Sequence, residues 1–163
     1  MKKMFAVLFV SLVLATAVMA VKTLPFPGWG DVQETSSDII IARCLKTTES
    51  PSGGFQGLID SDINIIMVLK GKTNQAIVNL RSLYWPRPNV QYAIFSKFHD
   101  GVYDAIEPYR IIPLGTYFPT NMLTGKNLNE QITAIFKWRL VQLKREIEQN
   151  AEEKQQLEAG LNQ

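Results

Sequence analysis

Asp38-Ile39-Ile40-Ile41-Ala42-Arg43-Cys44-Leu45-Lys46-Thr47 reads as a β-strand. Its β-branched run is too short for a helix, and the Thr/Ser-rich stretch before it is a breaker. Three consecutive isoleucines cannot alternate between core and water, so the start of this strand is expected to be covered on both faces. Four further strands follow. Leu58 to Leu69 alternates Ile63, Ile65, Met67 and Leu69 with Asn64, Ile66, Val68 and Lys70, and ends in the turn Lys70-Gly71-Lys72. Gln75 to Leu83 alternates Ala76, Val78 and Leu80 with Ile77, Asn79 and Arg81. Val90 to Phe98 comes after Pro86 and Pro88, which cannot donate to a ladder. Val102 to Ile106 follows the hairpin loop His99-Asp100-Gly101 and is able to resume over Tyr109 to Leu114. Five short strands at this spacing, largely antiparallel, predict a small barrel over 38–118 that leaves no long exposed sheet edge.

The C-terminal segment differs in kind. Asn127 and Glu130 have the spacing of a capping box. Leu128, Ile132, Ile135, Phe136, Leu140, Leu143 and Ile147 then recur at steps of three and four, one helical stripe. From Glu148 to Gln156 the chain is almost wholly polar. A helix over 127–160 is therefore expected to dock by its first half and project by its second. Leu157 and Leu161 make a poor seam for a coiled coil. The fold class is mainly β (α+β).

At the other end, Lys2 and Lys3 precede an apolar run from Met4 to Leu14, and small residues lead to Val18 and Ala20. This is the pattern of a cleavable secretory signal over 1–20, with cleavage after Ala20 and, as the near alternative, after Ala17. Met4 to Ala20 spans 17 residues, at the lower limit of the roughly 17–25 that cross a bilayer. The expected destination is secreted or periplasmic, with no stable membrane insertion after cleavage. Residues 21–37 form an irregular opening segment with Pro25, Pro27, Gly28 and Gly30, one helical turn from Asp31 to Glu34, and Phe26 and Trp29 pinning it to the body.

Losing Lys2 and Lys3 lowers the 17 basic residues to 15, equal to the 15 acidic ones. A neutral domain offers no long-range attraction to nucleic acid, which is not expected as a partner. Cys44 is the one cysteine, so no intramolecular disulfide forms, and its setting is that of a buried small hydrophobe.

Candidate chemistry is sparse. His99 is the one histidine and sits in a turn, without a serine in a nucleophile-elbow context. One His and one Cys do not make a zinc site. Asp60 with Asp62, and Asp104 with Glu107, read as strand-end acids. Gly53-Gly54 lacks the lysine and helix of a phosphate loop. No cofactor, metal site or catalytic set is expected. The one suggestive cluster is Arg81, Tyr84, Trp85, Arg87 and Tyr92, around the connection between the third and fourth strands. Aromatic rings beside arginines stack bases or sugars, but capping of the barrel end is the favoured reading of these residues.

Three pieces carry a resemblance: Ser37 to Cys44, then Ile65-Ile66-Met67-Val68-Leu69-Lys70-Gly71, then Gln91-Tyr92-Ala93-Ile94-Phe95. Together they resemble exported bacterial relatives of the netrin-like domain, the oligonucleotide/oligosaccharide-binding (OB) fold of tissue inhibitors of metalloproteinases. In that family an acidic residue opens the first strand, here Asp38. The second strand ends in V-L-K-G, here Val68 to Gly71, and the fourth reads Y-x-x-F, here Tyr92 to Phe95. The resemblance covers roughly 37–115 and implies a five-stranded OB-like barrel with a C-terminal helix against it. The inhibitors chelate zinc through an N-terminal cysteine. The expected mature start here is Val21 and Cys44 is internal, so that device is not carried over. The resulting expectation is a non-enzymatic binding domain with a protein partner. The alternative is a glycan-binding or glycan-processing envelope protein that uses Tyr84, Trp85 and Arg87. The sequence sets no oligomeric state.

Overall fold

A computed structural model describes residues 28–49, 57–73 and 75–161. The signal segment, Phe26 and the Ser/Pro/Gly-rich connection 50–56 lie outside the described residues. The elements in chain order are helix α1 (Trp29–Thr35) and strands β1 (Asp38–Glu49), β2 (Ile59–Lys70), β3 (Ile77–Ser82), β4 (Gln91–His99) and β5 (Val102–Ala105). A 3-10 turn (Pro108–Arg110), strand β6 (Ile111–Gly115), a second 3-10 turn (Thr120–Leu123) and helix α2 (Leu128–Leu161) complete the chain.

The sheet runs β1-β2-β3-β5-β4 and closes on itself because β1 also pairs with β4. Every pairing but one is antiparallel. The exception, Asn79 to Ser82 of β3 against Val102 to Ala105 of β5, is parallel and seals the barrel. The barrel is largely antiparallel, as expected, with this one parallel pairing, and its strand order is that of an OB-like fold. The parallel pairing has a topological origin: β3 and β5 are separated by β4, so the two strands that meet at closure run the same way.

The expected resumption of the fifth strand is a strand of its own. β5 pairs with the second half of β4 through Lys97, Phe98 and His99. β6 pairs with the first half through Gln91, Tyr92, Ala93 and Ile94. Both use the edge of β4 opposite β1, so β6 is the extra strand that extends the sheet beyond the barrel. Between β4 and β5 the turn is tight. Asp100 (φ 49°) and Gly101 (φ 81°) are both left-handed, as a two-residue hairpin of the I′ kind requires.

The isoleucine run explains the layering. Ile40, with Ala42 and Cys44, points into the barrel beside Ile63, Leu80, Tyr92, Ile94 and Tyr103. Ile39 and Ile41 point the other way, onto a second core with Val32, Phe95, Leu114, Phe118, Ile132 and Ile135. That second layer is built by the two helices laid over the outer face of β1, β4 and β6. Trp29 holds α1 there, its ring centroid 5.6 Å from that of Phe95 and 4.4 Å from that of Phe136.

Polar groups fix the helix ends. Lys70 Nζ donates to the carbonyls of Gln33 (2.9 Å) and Ser36 (2.6 Å), satisfying groups that the end of α1 leaves free. At the start of α2, Glu130 N–H donates to Asn127 Oδ1 (3.0 Å) and Asn127 N–H to Glu130 Oε2 (3.1 Å), a reciprocal capping box. Trp138 Nε1 donates to the Leu114 carbonyl (3.0 Å) and locks the helix to β6.

Past Trp138 the helix changes character. Leu140, Val141, Leu143 and Ile147 are exposed, Ile147 by 66%. Arg139, Gln142 and Glu146 instead face a groove against the barrel. The apolar stripe that docks in the first half of α2 thus turns to solvent in the second.

Candidate functional site

The connection from β3 to β4 runs past the end of the barrel where β6 and the middle of α2 meet. Ser82 Oγ donates to the Tyr84 carbonyl (2.6 Å), which folds the chain back over the barrel end. The Arg87 backbone N–H donates to the Tyr92 hydroxyl (2.7 Å). The Tyr84 and Tyr92 rings meet edge to face, with centroids 6.1 Å apart. Tyr92 itself is only 1% exposed. Burial pushes its phenol up to about 12, against the lowering effect of the Arg87 N–H.

These residues line a groove of about 350 Å³. Tyr84, Val90 and Tyr92 form its barrel side, with Arg87 above them and Pro113 and Gly115 of β6 at the edge. Its far wall is the inward face of α2, Arg139, Gln142 and Glu146. Arg139 Nη1 donates to Glu146 Oε1 at 2.8 Å, two turns along the same helix face.

The five residues singled out in the sequence therefore divide. Tyr84, Arg87 and Tyr92 come together in the groove. Trp85 does not line it and stands 51% exposed. Arg81 lies on the outer wall of the barrel, where its Nε binds Asp60 Oδ1 at 3.1 Å. That β2–β3 wall is the surface OB folds commonly use for binding. Here neither strand carries an aromatic residue, so the wall has no stacking platform. The helical contributors were not singled out, because charged residues on a long polar helix read as a solvated face. Their spacing at i, i+3 and i+7, on the face one residue round from Leu140, Leu143 and Ile147, was the available signal.

The other candidates fall to structural roles. His99 Nε2 and Asp100 Oδ2 are 3.1 Å apart in an exposed turn. Asp60 is held by Arg81 and Glu107 by Arg110, while Asp62 is exposed. Among the described residues no group of three or more His, Cys, Asp or Glu is placed to hold a metal ion. Cys44 is buried in the barrel. Its thiol is pushed up from its ordinary value by burial first, and also by the nearby Asp62 charge, against a lowering contact with the Lys46 backbone.

Among the described residues no helix is long and apolar enough to cross a membrane. No model of a known protein family matches the chain, and no curated protein matches it.

Proposed function

We propose that this chain is an exported, non-enzymatic binding domain whose partner is a protein, engaged through the projecting half of α2 and the adjoining barrel rim. The observation that carries this reading is the outward row Leu140, Leu143 and Ile147, spaced i, i+3 and i+7, on a helix whose inward face there is polar. Amphipathic helices normally turn their apolar side to their own core. A contiguous apolar row left in solvent is typical of an interaction surface. Such a row suits a partner that brings an apolar helical face or groove of its own. Trp85 on the β3–β4 connection is a further exposed apolar side chain, at the barrel rim.

The signal-like start supports export, and the resemblance to netrin-like domains supports a barrel used for recognition. The inhibitors' zinc-chelating device has no counterpart in this reading, since Cys44 is buried. Affinity capture from an envelope extract tests it, with the parent chain beside Leu143→Ser/Ile147→Ser and Trp85→Ala variants. A specific protein should be retained by the parent and lost with the helix double variant. If every association survives both the helix and the rim variants, the reading fails.

A further inference from the structure

The groove beneath the projecting half of α2 lies on a face of that helix neighbouring the one with the apolar row, and its lining is of another kind. We infer that it is a binding site for a small acidic saccharide, a sugar ring bearing a carboxylate. Its volume of about 350 Å³ falls at the small end of the roughly 300–1,000 Å³ typical of small-molecule sites.

Sugar rings are recognised by an aromatic surface for their C–H face, with planar polar side chains around it for their hydroxyls. Tyr84 supplies the aromatic surface. Gln142 and Glu146 supply an amide and a carboxylate on the facing wall. Tyr92 adds a buried hydroxyl. Its oxygen already accepts the Arg87 N–H, so the phenolic hydrogen is left to donate into the groove it lines. With its pKa near 12, that hydrogen stays in place at any physiological pH.

The charge balance points to an acid rather than a neutral sugar. Two guanidinium groups, Arg87 and Arg139, stand against one carboxylate, Glu146. Arg139 is engaged with Glu146 at 2.8 Å. The Arg87 side chain is exposed and has no hydrogen bond or ion pair among the described residues. Its planar fork is matched to a carboxylate, which it binds through two parallel hydrogen bonds. An extended polyanion fits less well, because the α2 wall places Glu146 in its path.

Calorimetric titration of the full chain with digalacturonic acid, and with lactose as the neutral counterpart, tests the inference. Digalacturonic acid should bind, and lactose should bind at least about tenfold more weakly, the scale of a lost charge-assisted hydrogen bond. Arg87→Gln, at an exposed position, should weaken the acidic ligand by about tenfold or more. Tyr84→Ala should abolish binding, with circular dichroism confirming that the barrel persists. Arg81→Gln, outside the groove, should leave affinity unchanged. No heat with digalacturonic acid, equal affinity for lactose, or an unchanged affinity in Arg87→Gln would each overturn the assignment. Leu143→Ser/Ile147→Ser should leave saccharide binding intact, so this site and the protein-docking face fail independently.

Discussion

Gly71 lies so close to Asp38 that a β-carbon built on it would sit 2.0 Å from Asp38 Oδ1 and 3.1 Å from the Ser37 carbonyl. The contact follows from register: Ile39 pairs with Lys70, which brings the start of β1 against the turn that ends β2. Asp38 is itself buried, its Oδ2 accepting the Ser37 hydroxyl at 2.7 Å. Gly71 also holds a φ of +95°, which side chains rarely adopt. Gly71→Ala should therefore lower stability by about 2–4 kcal/mol, overpacking and backbone strain acting together. Urea unfolding measures it. Asp38→Ala in the same chain should restore part of the loss, since it removes the obstructing oxygen but not the strain.

Arg110 is a second junction. Its side chain is 4% exposed, and it ion-pairs with Glu107 through Nε. Nη1 donates to Ser36 Oγ (2.9 Å) and Nη2 to Thr35 Oγ1 (3.1 Å), tying the end of α1 to the turn before β6. Arg110→Met should cost about 2–3 kcal/mol, because those hydroxyls lose a charged donor at a buried site. Glu107→Gln should cost less than about 1 kcal/mol, its carboxylate being 40% exposed and screened by water. A larger effect for Glu107 than for Arg110 in denaturant titrations would contradict this order.

The raised phenol of Tyr92 sets an alkaline limit. The folded state favours the neutral ring, so the stability it contributes is complete below its ordinary value of 10.0 and is lost as pH rises through about 12. Of the five tyrosines, one should ionise last in a phenolate absorbance titration, and Tyr92→Phe should remove that step. The same variant should also shrink the fall in stability between those two pH values, while losing about 1 kcal/mol at neutral pH as the Arg87 N–H loses its acceptor.

Cys44 should behave as packing. Its buried, up-shifted thiol should react with a disulfide reagent only as fast as the chain opens, and at once in denaturant. Fast labelling of the native protein would contradict its place in the barrel.

Much of the fold was legible because its strongest signals were local. The three isoleucines of β1, the Asp100-Gly101 turn and the Asn127/Glu130 capping box each named their own conformation. The parallel closure of β3 on β5 was not legible, since it joins Asn79 to Val102 through the intervening strand and leaves no periodic trace. The groove was half legible. Tyr84, Arg87 and Tyr92 are close in sequence, whereas Arg139, Gln142 and Glu146 arrive from α2 only once Trp138 docks on Leu114. Arg81 and Trp85 misled for the complementary reason. Their neighbours in sequence alternate direction along β3 and the connection beyond it, so closeness along the chain did not put them on one surface.

Ile39, Ile40 and Ile41 sit on one strand yet supply two different cores, the helix-covered layer and the barrel interior. β4 does the same, with all of Gln91 to Ser96 buried. Neither layer has a sheet of its own, so neither can melt while the other stays whole. Heat should produce a single transition, with calorimetric and van't Hoff enthalpies in agreement. Amide hydrogens of β1 and β4 should then exchange only through complete unfolding, however far the end of α2 frays.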